Sequence, residues 1–338
     1  MNNNCSPVNN TQRTTVYNKW LDPTKKIRKQ MRFCQQPYLL HFRVKFYVTE
    51  MARLLEEYTR YHFYLQIRKD ILAGHLYPCQ SSMMNDVNNS EQQREEEQDS
   101  IMATLATELG DYCEDEHRPG YSNEFRFIPN QTDEFCHKVE SLHRLHQGQT
   151  PADAELNYLE EAKHLELYGV DLHNAKDYDN IEIKIGVSSN GLTIYKIIID
   201  PNNGQQKYHK INMFSWAKIV KISFKRRYFF IQLKHEGTER FDNLIGFNLC
   251  SYRACKSLWK SCVEQHTFFR LHTPKPLTKK FFFFFSLGSK FRYSGKTEFQ
   301  TIEENRRRLT RTERIFIRNT GRNATMPAKS STPIITMN

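Results

Sequence analysis

"KIVKISFKRRYFFIQLKHEG", residues 218–237, decides how the second half of the chain is read. Apolar and polar residues alternate through 219–225 and again through 228–234, and Arg226-Arg227 separates the two runs. A period of two marks a strand with one buried face, and two such runs joined by two residues make a hairpin. Five cations, Lys218, Lys221, Lys225, Arg226 and Arg227, fall within ten residues of this stretch. Three readings of the turn are open: the solvated end of a hairpin, a contact with anionic lipid headgroups, or a grip on nucleic acid. Tyr228, Phe229 and Phe230 lie in a strand, so at least half of them face a core and they make a poor stacking platform for bases. The membrane reading therefore ranks above the nucleic-acid one, and the solvated hairpin stays open beside it.

Working outward, the same period recurs in "VDLHNA", "IEIKIGV", "GLTIYKIII", "INMFSW" and "LIGFNL", giving seven short strands over residues 170–249. A single helix is expected to follow over Ser251–His266, capped by Ser251, with Cys255, Leu258, Cys262 and Val263 as its apolar stripe and Lys256 and Lys260 outside. Seven antiparallel strands and one closing helix make the layout of a pleckstrin-homology or phosphotyrosine-binding sandwich.

Upstream the period changes to that of a helix. Residues 49–74 are predicted to form one, with Thr49 as cap, Gly74 as stop, and Leu54, Tyr58, Tyr61, Leu65 and Leu72 on its core face. Further helices are predicted over about 100–112, over 131–147, and over 150–169. The last opens with Thr150-Pro151-x-Asp153, a cap followed by a first-turn proline and an acid. Residues 77–99 are polar and acidic and read as a disordered insertion, and residues 1–19 read as a disordered N-terminus. In "YLLHFRVKFYV" (38–48) Phe42, Val44 and Phe46 alternate with Arg43, Lys45 and Tyr47, which predicts a strand. The remainder, 273–338, reads as extended or disordered despite five phenylalanines at 281–285.

Charge is unevenly placed. The formal +11 of the 338 residues resides in residues 270–338, with 15 Lys/Arg against 4 Asp/Glu. Residues 79–171 carry 6 basic and 21 acidic residues, whereas residues 172–269 carry 15 basic and 8 acidic. Eight cysteines lack a C-x-x-C pair or zinc spacing, so a reduced chain without structural metal is expected. No apolar run approaches the ~18 residues of a membrane span, and the N-terminus has no apolar signal core. His143 and His146 on the predicted third helix read as solvent-facing. No H-C-x-x-x-x-x-R loop, glycine-rich phosphate loop or H-E-x-x-H is present, so no catalytic residue and no cofactor is expected.

The stretches "WLDPTKKIRKQ", "FRVKFYV", "EEYTRYHFYLQIRKDILAG", "ELGDY", "TPADAELNYLEEAKHLELYGVDLH", "KIVKISFKRRYFFIQL", "YRACKSLWKSCVEQHTFFRL" and "LGSKFRYSGKTE", in that order, resemble the FERM domain of the protein 4.1 superfamily. The likeness is nearest to the FERM- and PDZ-containing non-receptor tyrosine phosphatases. It implies an α+β multidomain chain in three parts. These are a remnant of a ubiquitin-like first lobe (20–48), a helical lobe similar to acyl-CoA-binding protein (49–169), and a pleckstrin-homology-like lobe (170–272). A FERM-adjacent segment and basic tail (273–338) would follow. The strands that pair with "FRVKFYV" in the family are missing from the sequence, the 197–209 loop is longer than the family pattern, and neither a PDZ sequence nor a phosphatase loop follows.

The resemblance also implies a role. Such modules link cytoplasmic tails of membrane proteins and anionic inner-leaflet lipids such as phosphoinositides to the actin–spectrin cortex, in the cytoplasm at the plasma membrane. Lys218, Lys221, Lys225, Arg226 and Arg227 would face lipid. A peptide would add as a strand beside Tyr228–Lys234, against the closing helix, with Tyr228, Phe230, Gln232 and Lys256 contacting it. Independently of the resemblance, Arg292, Tyr293, Ser294 and Lys296 read as a basophilic kinase site in an exposed tail, with Ser294 accepting phosphate. The alternative is that the chain is the targeting part of a non-receptor tyrosine phosphatase whose catalytic part lies beyond it.

Overall fold

The computed structural model describes residues 20–22, 25–32, 40–76, 110–129, 131–145, 148–199, 206–234, 244–274, 291 and 293–309. The expected disordered segments 1–19 and 77–99, the predicted helix before Gly110 and the phenylalanine run lie outside them. Two units are distinguished, one formed by residues 1–43 and 322–338, the other by residues 44–321. In the first, a short helix α1 (Ile27–Gln30) ends with the Gln30 amide held by Asp22 and Lys25 backbone groups at 2.8–3.0 Å.

The larger unit begins with a correction. Residues 40–50 form no strand. In place of a neighbouring strand, the side-chain amide of Gln66 accepts from the Val44 N–H at 2.5 Å and donates to the Val44 carbonyl at 3.1 Å. One glutamine thus satisfies the two backbone groups that a ladder would have used.

Helix α2 runs over Glu57–Leu72, not from Thr49; a single 3-10 turn, Met51–Arg53, precedes it. Its stop is as expected, with Gly74 at φ +72°. Its core face is not. Phe63, Tyr64, Ile67 and Ile71 are buried, while Tyr58 is exposed and Leu54, Tyr61 and Leu65 only border the core. Helices α3 (Asp133–Leu145) and α4 (Pro151–Ala162) complete the described part of this lobe. The Thr150 hydroxyl accepts from the Asp153 N–H at 3.2 Å, the predicted cap. Ala154, Tyr158, Leu159 and Ala162 face α2, and the Tyr64 and Tyr158 rings meet edge-on at 5.0 Å. Gly169 turns the chain at φ +64°, where a Cβ would lie 2.7 Å from that of Tyr47, so no larger residue fits.

The strands are β1 (Asp171–Lys176), β2 (Glu182–Val187), β3 (Gly191–Ile199), β4 (Gln206–Ser215), β5 (Ile219–Lys225), β6 (Tyr228–Leu233) and β7 (Leu244–Asn248), all paired antiparallel in the order β4-β3-β2-β1-β7-β6-β5. The expected long loop at 197–209 is largely strand, since β3 reaches Ile199 and β4 starts at Gln206. The two halves of the sheet join through one pair, Lys176 with Asn248. Their inner faces share a core of Ile183, Ile185, Leu192, Phe229, Ile231 and Phe247.

Helix α5 (Tyr252–Arg270) closes this core with Cys255, Leu258 and Cys262, each fully buried, and Ser251 caps it by accepting from the Ala254 N–H at 3.2 Å. Burial drives the Cys262 thiol well above its usual pKa, so it packs as a neutral hydrophobe. The region after 273 is not wholly irregular either: helix α6 spans Glu298–Leu309. Thr297 accepts from the Gln300 N–H at 3.2 Å while the Gln300 side chain accepts from the Thr297 N–H at 3.1 Å, a reciprocal capping box.

Residues 44–48 tie these parts together. Lys45 pairs with Glu264 of α5 at 2.7 Å, and the Phe46 ring stacks on Phe268 at 4.1 Å with Phe269 and Tyr293 edge-on at 6.1 and 5.8 Å. The Tyr47 hydroxyl donates to Asp70 at 2.8 Å, and the Val48 carbonyl accepts from Tyr168 at 2.8 Å. Phe46→Ala is therefore expected to cost about 2 kcal/mol and to split urea unfolding into separate transitions for the helical lobe and the sandwich. A single coincident transition by tryptophan fluorescence and far-UV circular dichroism, unshifted from wild type, would contradict this.

Candidate functional site

The β5–β6 hairpin is closed by two residues, and Arg226 holds a left-handed φ of +57°, a conformation that costs a side-chain-bearing residue energy. Lys218, Lys221, Lys225, Arg226 and Arg227 are all exposed. Strand alternation points Ile222 and Phe224 inward and Lys221, Ser223 and Lys225 outward. On β6, Phe229 and Ile231 are fully buried, so Tyr228, Phe230 and Gln232 share the outer face.

Register then brings the expected lipid and peptide residues onto one surface. Lys225 lies opposite Tyr228, Ser223 opposite Phe230, and Lys221 opposite Gln232. The Tyr228 and Phe230 rings stack at 6.5 Å, and Phe230 covers Gly246 of β7, where a Cβ would come within 3.2 Å of the ring. Outward cations and aromatics therefore form a single sheet face.

The expected peptide strand needs correction. β6 is hydrogen-bonded to β5 on one side and β7 on the other, so no chain can add beside it. Tyr228, Phe230 and Gln232 also point away from the closing helix, because that helix packs on the inner face with Phe229 and Ile231. Among the described residues, the open edge on this side of the sheet is β5. Since Lys225 and Tyr228 close a two-residue turn, the alternation of antiparallel pairing turns the backbone groups of Phe224 and Ile222 outward along that edge. Beside it, Tyr252 and Trp259 of α5 meet Phe224 at 5.5 and 5.7 Å. Lys256 shares their helix face by spacing. Of the four expected peptide residues only Lys256 borders this open edge.

Ser294 is exposed, between Tyr293, whose hydroxyl donates to the Lys296 carbonyl at 2.9 Å, and Lys296, which is ion-paired to Glu304. Arg292 lies outside the described residues.

A polar cluster in the helical lobe escaped the sequence reading. His143 is fully buried, not solvent-facing, with Nε2 donating to the Gly110 carbonyl at 2.8 Å and the Tyr121 hydroxyl 2.7 Å from Nδ1. Burial pushes the Tyr121 phenol up to about 12. Burial also opposes the charge of Glu140, but hydrogen bonds from the Ser122 hydroxyl at 2.7 Å and its N–H at 3.2 Å outweigh it and hold the carboxyl below the ordinary range. These groups are structural: they fasten the 110–125 segment to α3. Among the described residues no group of His, Cys, Asp and Glu is placed to hold a metal ion.

This architecture has known counterparts. The FERM central domain matches residues 50–173, the FERM C-terminal PH-like domain residues 177–277, and the FERM-adjacent region residues 283–322. The chain belongs to the FERM family. It is 47% identical over 303 residues to tyrosine-protein phosphatase non-receptor type 4 of Homo sapiens, covering 89% of this chain and 30% of the phosphatase. It is 45% identical over 282 residues to band 4.1-like protein 3 of Homo sapiens, covering 83% and 23%. With protein 4.1 of Bos taurus the identity is 44% over 282 residues, covering 83% and 41%. This FERM chain thus spans less than half the length of each. In fold it is similar to the FERM and C-terminal domain complex of Drosophila Merlin, with a TM-score of 0.51 at 20% identity over 74% of this chain and 79% of that one.

The Ser122–Glu140 contact carries a pH signature. Glu140 has a lower pKa folded than unfolded, so its contribution is complete at neutral pH and is lost as pH falls through the depressed value. Glu140→Gln should cost about 2 kcal/mol at pH 7, and the gap to wild type should narrow on titrating from pH 6 to pH 3. Urea melts showing a constant gap would contradict the assignment.

Proposed function

We propose that this FERM chain is a non-catalytic adaptor that seats on anionic inner-leaflet lipid through its cationic hairpin and receives the cytoplasmic tail of a membrane protein as an added strand. The observation that carries the reading is the outer face of β5 and its turn. Lys221 and Lys225 on that face and Arg226 and Arg227 in the turn are exposed beside outward-facing Tyr228 and Phe230, with exposed Lys218 at the other end of β5. Each such cation near an anionic leaflet contributes about 1 kcal/mol, so five suffice for reversible attachment at physiological salt. The tail would use the open β5 edge, with Phe224, Tyr252 and Trp259 as its apolar pocket wall and Lys256 at its flank. Backbone groups would supply affinity and this wall selectivity.

No described helix is long and apolar enough to cross a membrane, so the proposed attachment is peripheral, at the plasma membrane and the cortical cytoskeleton. Links to actin or spectrin components belong to the same proposal. Ser294, exposed next to a basic segment, is a proposed phosphate acceptor, and its phosphate would weaken lipid attraction by adding negative charge.

A second reading is that the chain is the targeting part of a non-receptor tyrosine phosphatase. The 47% identity to one such phosphatase, of which the chain spans 30%, favours it. An immunoblot with a FERM antibody that reveals a product large enough for a phosphatase domain would decide for it; a product of 40.3 kDa alone would decide against it.

Co-sedimentation with phosphatidylserine vesicles, with and without phosphatidylinositol bisphosphate, tests the lipid arm. The Lys225/Arg226/Arg227→Ala variant should lose at least tenfold in partitioning, since three cations at about 1 kcal/mol each are removed. Arg226→Gly should lose partitioning yet fold at least as stably, because glycine relieves the left-handed strain. Equal pelleting of wild type and triple variant would remove the lipid mechanism. For the tail arm, a membrane-protein tail peptide should slow hydrogen exchange at the Ile222 and Phe224 amides; an array of such tails that leaves both amides unchanged would remove strand addition. For Ser294, mass spectrometry of the protein from cells should find the phosphopeptide, and stoichiometric absence would withdraw it.

A further inference from the structure

We propose that Phe291 is a built-in occupant of the tail groove. It sits on the aromatic wall beside the open β5 edge and must leave before a tail with an aromatic side chain seats there. The inference rests on the tail reading above and deepens it. It names what the groove holds when no tail is bound, and what a tail must carry as the replacement.

Helical spacing fixes the wall. Tyr252, Lys256, Trp259 and Val263 recur at i, i+4, i+7 and i+11 and form one stripe of α5. That stripe flanks the buried one made by Cys255, Leu258 and Cys262. It lies on the β5 side, since the Tyr252 and Trp259 rings both meet Phe224. In a strand added beside β5, the residue paired with Phe224 shares its face of the sheet, so its side chain points toward this stripe.

Phe291 already stands there. Its ring meets Trp259 edge-on at 6.3 Å, and the Lys260 ammonium lies 4.1 Å from its centroid. Trp259 therefore touches Phe224 from the sheet and Phe291 from the C-terminal segment. Two residues on, Tyr293 meets Phe46, whose ring stacks on Phe268. The described part of this segment thus goes from the β5 flank of α5 to the side held by residues 44–48.

Phe291 is held weakly, whereas its neighbours are held firmly. A centroid separation of 6.3 Å is near the outer limit of an aromatic pair, and Phe291 is only half-buried. Downstream, the Tyr293 hydroxyl donates to the Lys296 carbonyl at 2.9 Å, and its ring leaves no room for a Cβ at Gly295. The Thr297 hydroxyl donates to the His272 carbonyl at 2.8 Å, and Arg53 pairs with Glu298 at 3.0 Å. Release of Phe291 therefore leaves the segment docked. What replaces it must supply the same chemistry, a ring for Trp259 and a π-face for Lys260. An aliphatic side chain has no π-face, so the groove selects an aromatic anchor.

Two contacts of this kind close the seat by about tenfold, and apparent tail affinity falls by the same factor. The test is an array of membrane-proximal cytoplasmic-tail peptides, each present intact and with its aromatic residues changed to alanine. It is probed with wild type, Phe291→Ala and Phe291→Tyr. The Phe291→Ala protein should bind aromatic tails about tenfold more tightly than wild type, and Phe291→Tyr should bind like wild type. The alanine-substituted tails should show no such gain. In protein carrying para-fluorophenylalanine at position 291, the fluorine resonance should move to its solvent-exposed position as a tail saturates the groove. Unchanged or weaker binding by Phe291→Ala, or a fluorine resonance that stays in place at saturation, overturns the plug. Strand addition still stands in that case if the Ile222 and Phe224 amides are slowed. An equal gain for the alanine-substituted tails overturns the aromatic anchor. If no tail slows those amides in wild type or in Phe291→Ala, both the plug and the tail reading fall.

Discussion

The stack of Phe46 on Phe268 is the contact on which the larger unit depends. Phe46 belongs to a segment with no regular structure, yet each of its neighbours is committed: Val44 to Gln66, Lys45 to Glu264, Tyr47 to Asp70, Val48 to Tyr168. Alternate residues of an extended chain point to opposite sides. Here the segment departs from that alternation: Lys45 and Phe46 both reach the closing helix, while the Tyr47 side chain and the Val48 carbonyl engage the helical lobe. The same aromatic group extends to Tyr293, and Arg53 reaches Glu298 at 3.0 Å, so the C-terminal segment is held against both. Burial raises the Glu298 carboxyl and Arg53 counters it, which makes this a contact sustained by its pairing.

Fixing the two lobes in this way gives the charge distribution a direction. The acidic block and the basic sandwich would partly cancel if they could tumble independently about a linker. Held by residues 44–48, the acidic lobe keeps one relation to the cationic turn, and at a Debye length near 8 Å the turn presents its own field to whatever approaches it. A charge asymmetry along a sequence becomes an asymmetry in space only through such packing.

Much of the fold was legible because local chemistry repeats. The seven period-two runs, the Ser251 and Thr150 caps and the Gly74 stop all depend on neighbours within four residues. What was not legible depends on distant partners. The run Phe42–Val48 has the alternation of a strand, but its hydrogen bonds go to Gln66, which nothing local announces. Tyr58, Tyr61, Tyr64 and Phe63 put aromatics around most of α2, so the choice of core face had to come from α4. His143 looked solvent-facing because its partners, Tyr121 and Gly110, lie more than twenty residues away. The capping box Thr297-Glu-Phe-Gln300 was a local signal and could have revealed α6. The polar, arginine-rich sequence around it concealed the helix instead.

The placement of the site was half legible for the same reason. Alternation alone indicates which residues of β5 and β6 point outward, and therefore that Lys221 and Lys225 share a face. It says nothing of which strand is an edge, because strand order is decided by the single Lys176–Asn248 pair that joins the halves of the sheet. Once β5 is the edge, lipid and tail no longer compete for one strand. Cations occupy the outer face and turn of β5, whereas an added strand would lie in the plane of the sheet beside it, perpendicular to those side chains. In the proposed attachment, a tail leaving the membrane near Arg226 would therefore run along β5 away from the bilayer. The headgroups proposed to hold the turn would then stand at the start of its path.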